Sequence, residues 1–63
     1  MRAKFIVNCP FLTELRDFAV RPEWIRPRKG ESVMIHSTLY RVDSIIHCYD
    51  GDEDYVHYYL EEK

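Results

Sequence analysis

The chain has 63 residues, a mass of 7.7 kDa and a formal net charge of −2 from nine basic and eleven acidic side chains. Surface scaling allows such a chain one small domain that buries roughly 60% of the open chain's surface, which leaves no room for a large cofactor in its own cleft. An apolar content of 46% with 14% aromatics argues against disorder, and two cysteines are too few for a secreted disulfide framework.

Residues 1–63 read as a single small β domain. Arg2–Asn8 is β-branched and aromatic and is stopped by Pro10, which predicts a strand. The apolar run at Met1–Val7 is too short for a signal-peptide core, and no segment is long enough to span a membrane. The expectation is a cytoplasmic protein with Cys9 and Cys48 reduced. Residues 11–19 fit two patterns. Phe11, Leu12, Leu15, Phe18 and Ala19 make a helical stripe, whereas Phe18, Val20 and Pro22 alternate. Pro22 and Pro27 forbid a helix beyond residue 21. The reading is a turn or one loose helical turn over 11–16 and an edge strand over 17–21.

Pro27–Glu31 carries the punctuation of a turn. Strands then follow over Ser32–His36, Leu39–Tyr49 and Tyr55–Glu61, with reversals at Ser37-Thr38 and Asp50–Asp54, giving a C-terminal three-stranded meander. A first turn centred between residues 37 and 38 sets Val33 opposite Val42 and Ile35 opposite Tyr40. A second centred on Asp52 sets Cys48 opposite Val56, Ile46 opposite Tyr58 and Ser44 opposite Leu60. The predicted core face is Val33, Ile35, Tyr40, Val42, Ile46, Tyr58 and Leu60. The first strand and segment 17–21 complete a partly open five-stranded barrel.

The motifs Pro27-Arg28-x-Gly30-Glu31-x-Val33-x-Ile35, Tyr40-x-Val42-x-x-Ile45 and Val56-x-Tyr58-x-Leu60 carry a resemblance. Over residues 27–61 the chain resembles an SH3-like small barrel, in particular short proteins encoded in bacterial genomes and their mobile elements. The resemblance implies an all-β, SH3-like fold and a bacterial or mobile-element origin. It implies no activity, because such barrels serve RNA, DNA, peptide and purely structural roles.

Several constellations bear on chemistry. His36, His47, His57 and the two cysteines lack the close ligand pairs of a local zinc site, so no metal is expected. Asp50-Gly51-Asp52-Glu53-Asp54 has the alternating acids of a calcium loop without its flanking helices, and reads as an acidic hairpin tip. Cys48 beside His47 and Ser44 beside Asp43 face apart on a strand, so neither pair is a nucleophile with its base. No enzyme, no cofactor and no small-molecule substrate are expected.

Two surfaces remain. The predicted register groups Ile45, His47, Tyr49, Tyr55, His57 and Tyr59 on the outer face of the last hairpin, His47 directly across from His57. Such a face suits a protein partner or a second copy of the chain; the rival is an intramolecular lid from residues 9–16. The other surface is Arg21, Trp24, Arg26, Arg28 and Lys29, where cations beside an aromatic suit nucleic acid. Trp24 is equally suited to filling the core. Residues 1–31 carry seven basic and four acidic side chains, residues 32–63 two and seven. The expectation is that the two halves lie together and attract. The functional expectation is a non-catalytic binding or assembly protein working through a protein interface, with nucleic-acid binding by segment 21–29 as the alternative.

Overall fold

The computed structural model describes residues 1–8 and 10–62, and the fold is all-β. Five strands run β1 (Arg2–Asn8), β2 (Leu12–Ala19), β3 (Ser32–Ile35), β4 (Thr38–Cys48) and β5 (Tyr55–Glu62). They form one sheet in the order β2-β1-β5-β4-β3, curled into a half-barrel consistent with a small SH3-like barrel. The C-terminal meander is present as expected. β1 lies parallel to β5 and antiparallel to β2, so the last strand is the centre of the sheet. Cys9 lies outside the described residues. No helix is long and apolar enough to cross a membrane among the described residues.

The ambiguous segment resolves as an edge strand over Leu12–Ala19, which ends before Val20 and Arg21 rather than at residue 21. β2 begins at Leu12 rather than residue 17 and contains no helical turn. Pairing with β1 satisfies backbone groups that a single helical turn would leave open. Because β2 is an edge with mostly exposed side chains, its alternation is weak in the sequence.

Curvature comes from two irregularities. One lies between Phe5 and Ile6 in the β1–β2 ladder, where Leu15 is the additional residue. The other lies between Val42 and Ser44 against β5, where Asp43 is the additional residue. An extra residue bends a strand and increases its twist. The curl brings the β3–β4 turn towards β2, with His36 Nε2 at 3.4 Å from the Leu15 carbonyl oxygen.

The concave side holds the core. Ala3, Phe5, Val7, Ile35, Tyr40, Val42, Val56, Tyr58 and Leu60 are all buried and in one cluster. Segment 20–31 closes over it, contributing Val20 and Trp24. Trp24 stands edge-on to Phe18 at 5.2 Å and to Tyr58 at 5.9 Å. The segment is laced down by hydrogen bonds from Val20 N–H to the Met1 carbonyl and from Gly30 N–H to the Val42 carbonyl, both 2.9 Å.

Both predicted hairpin registers need correction. The first turn is His36-Ser37, with φ of 51° and 64°, so Val33 faces Tyr40 and Ile35 faces Thr38. Two positive-φ central residues are the type I′ geometry that matches strand twist, here without the usual Gly or Asn. The two-residue slip leaves the same residues on the core side. The second hairpin differs by one residue beyond Asp43. Val42 faces Leu60, but Ile45 then faces Tyr58 and Ile46 faces His57. Ile46, expected in the core, is consequently 46% exposed.

Candidate functional site

The Asp43 bulge decides which residues share the outer face. Up to Val42 the even positions of β4 point to the core; after the bulge the odd ones do. The six residues expected on one patch are therefore divided. Tyr55, His57 and Tyr59 lie along β5 on the outer side, as the alternation of β5 requires. Ile45 and His47 pair with Tyr58 and Val56 and belong to the concave side, where Ile45 packs against the core. Tyr49 follows β4 and stacks on His47 at 6.3 Å with an interplanar angle of 9°. The expected His47–His57 pair does not form.

Ser44, Ile46 and Cys48 take the vacated places, facing Tyr59, His57 and Tyr55. Along β5, His57 meets Tyr55 at 6.1 Å and Tyr59 at 6.3 Å, edge to face. Cys48 Sγ lies 3.8 Å from His57 Nδ1, a cross-strand thiol–imidazole contact that the sequence neighbours Cys48 and His47 do not announce. Residues 11 and 12 do not fold over the patch as a lid: Phe11 is 77% exposed, and Leu12 sits in β2 opposite Asn8, separated from β4 by β1 and β5.

β1 borders the patch with Arg2, Lys4 and Ile6, opposite Tyr55, His57 and Tyr59. Ile6 is buried here although it takes no part in the concave cluster. Arg2 bonds Asp17 at 2.9 Å and Lys4 reaches Glu14 at 3.3 Å, the Lys4 ammonium also lying 5.1 Å from the centre of the Tyr55 ring. The hydrogen bond that each cation donates to its carboxylate is the main cause that holds the Arg2 guanidinium and the Lys4 ammonium above their ordinary pKa values. Arg41 pairs with Glu61 on the same side.

The basic loop differs in this respect. Arg21, Arg26, Arg28 and Lys29 are exposed, and none has a carboxylate ion-pair partner among the described residues. Arg2–Asp17 and Lys4–Glu14 lie within the first half and Arg41–Glu61 within the second. The halves do lie together, β1 running along β5, and the charge of Glu53 helps to raise the Arg2 pKa across them, although no described ion pair joins the halves. Trp24 is packed against Phe18 and Tyr58. Among the described residues no group of three or more His, Cys, Asp or Glu side chains is placed to hold a metal ion.

No protein-family model, curated protein or solved structure matches this chain.

Proposed function

We propose that this chain is a non-catalytic assembly protein that binds a second copy of itself through the outer face of β4 and β5. The observation that carries the reading is the row Tyr55-His57-Tyr59 on the central strand, flanked by the half-exposed Ile46. Tyrosine and histidine present apolar bodies with polar tips, the composition favoured in interface centres. The row is suited to self-pairing. A two-fold axis through His57 sets Tyr55 of one copy against Tyr59 of the other, so one surface meets itself. A standard interface buries about 800 Å² per partner, roughly one sixth of the 4761 Å² surface. For so small a chain that is a proportionally large gain.

Sedimentation at micromolar concentration tests the proposal, with Ile46→Glu as the disrupting variant. The expected result is a dimeric parent and a monomeric variant with the parent's far-UV circular dichroism. A monomeric parent, or a variant that stays dimeric, overturns it.

The unpaired cations of segment 21–29 favour one second reading, binding to nucleic acid. Affinity for a single-stranded oligonucleotide would then fall steeply between 50 and 200 mM salt, as counterion release demands (roughly 50-fold for four phosphate contacts on a single strand). An interface of aromatic rings responds far less to salt.

A further inference from the structure

The concave side of the sheet is not closed along its whole length. Between segment 25–31 and the far end of β4 lies a cleft of about 610 Å³, bordered by Arg26, Arg28, Glu31, Ile45, His47 and Tyr58. This lies within the size range of small-molecule sites. Its residues come from three elements: the arginines from the loop, Ile45 and His47 from β4, and Tyr58 from β5. The Asp43 bulge is what turns Ile45 and His47 into it.

The charges in the cleft are unequal. Arg26 donates to the Met1 sulfur at 3.2 Å, and neither arginine has a carboxylate ion-pair partner among the described residues. Glu31 is the one acid at the border, and one of its carboxylate oxygens accepts a 2.6 Å hydrogen bond from the Arg28 backbone N–H. That bond braces the Arg28–Glu31 turn, which also has Glu31 N–H donating to the Arg28 carbonyl at 3.0 Å and Gly30 at φ 89°. Burial pushes the Tyr58 phenol up, and the charge of Arg26 draws it partly back, which places Arg26 within electrostatic reach of the cleft floor. Ile45 and Tyr58 supply apolar floor, and Ile25 at the rim is 89% exposed.

We infer that this cleft is a binding site for a phosphate monoester with an apolar or planar body, the phosphate held by Arg26, Arg28 and His47 and the body resting on Ile45. Guanidinium groups suit phosphate because their planar fork offers parallel N–H donors, and charge-assisted bonds of this kind are the strong ones. An apolar floor beneath two cations selects an organic phosphate over the bare ion. The source is either a small phosphorylated metabolite or the phosphorylated end of an oligonucleotide.

The test is a titration of the full chain with phenyl phosphate at fixed pH and 150 mM salt, read by backbone amide shifts and by emission of Trp24, the single tryptophan, which touches Tyr58. Saturable shifts centred on Ile45 and His47 are expected, with phenol and inorganic phosphate binding at least about tenfold more weakly. Arg28→Gln and His47→Gln should each weaken phenyl phosphate about tenfold, while Arg16→Gln, on β2 away from the cleft, changes it less than about twofold. Retained amide spectra in the variants exclude unfolding as the cause. A short oligonucleotide with and without a 5′-phosphate distinguishes the two sources: preference for the phosphorylated form, lost in Arg28→Gln, assigns the chain end. The inference is overturned if phenyl phosphate gives no saturable shift, or if Arg16→Gln weakens it as much as Arg28→Gln. It is equally overturned if the oligonucleotide binds irrespective of its 5′-phosphate while phenyl phosphate does not.

Discussion

The two faces of this sheet are both aromatic, and they differ in what covers them. On the concave side Phe5, Phe18, Tyr58 and Trp24 form a contiguous set, Phe5 lying 5.7 Å from Phe18 and 5.3 Å from Tyr58. The chain's own segment 20–31 covers them. On the outer side the β1–β2 half is spanned by the Arg2–Asp17 and Lys4–Glu14 pairs, while Ile46 stays half-exposed on the β4–β5 half beside Tyr55, His57 and Tyr59. A chain of this length has one connecting segment long enough to act as a cover, and it is used once. Small sheets thus hold their fold with one face and leave the other available for contact.

The comparison can be broken most directly by truncating one residue on each face. Leu60→Ala removes a 5% exposed core side chain and is expected to cost ~2–5 kcal/mol in chemical denaturation. That is a large share of the stability of so small a domain. Trp24→Ala, which strips the cover of its largest group, is expected to cost about 3 kcal/mol, the low end for aromatic truncation because Trp24 is only half-buried. If it costs nothing, segment 20–31 is not a cover.

Alkaline titration probes the same face without truncation. Burial raises the Tyr58 phenol's pKa above its ordinary value near 10. The fold therefore favours the neutral form. Its contribution is complete below the unfolded pKa and is lost as pH rises through the folded one. Melting temperature should fall as pH rises above about 10, and fall less in Tyr58→Phe. Equal losses in parent and variant would remove Tyr58 from the explanation.

Gly51 tests the hairpin that joins the faces' shared strands. Its φ is 92° and an added Cβ would meet nothing within 4 Å, so Gly51→Val costs conformational strain alone, ~1 kcal/mol. The smallest effect belongs to the outer side. Ile46→Thr, measured on monomer at low concentration, should change stability by no more than ~0.5 kcal/mol. A loss comparable to that of Leu60→Ala would mean that the outer face also sustains the fold.

Much of this architecture was legible from residue order. β1 is bounded by Pro10, and the meander from residue 32 onward is set by alternation, by the Gly30 turn that enters it and by the Gly51 turn within it. Of the predicted core face, Ile35, Tyr40, Val42, Tyr58 and Leu60 are buried and Val33 packs against them. The site was legible only by halves. Tyr55, His57 and Tyr59 follow from the period of β5, whereas their partners depend on Asp43, an ordinary strand position to a reader counting in twos. Nothing in Val42-Asp43-Ser44 marks a bulge, since it contains neither Gly nor Pro. The His36-Ser37 turn was hidden for the same reason: its two positive φ angles sit on residues that rarely announce them. The cleft beside His47 was out of reach because it depends on that bulge.

The parallel pairing of β1 with β5 sets the order in which the molecule can be completed. Arg2 waits for Tyr55, and Val7 for Leu60. Until the final strand is in place the chain has only two separate hairpins, β1–β2 and β3–β4, with no ladder between them. Isolated two-stranded hairpins are marginal in water. Folding therefore awaits a closure spanning almost the entire chain, the kind of distant contact that slows folding. The arrival of β5, rather than of any earlier strand, is the event that turns two separate hairpins into one folded sheet.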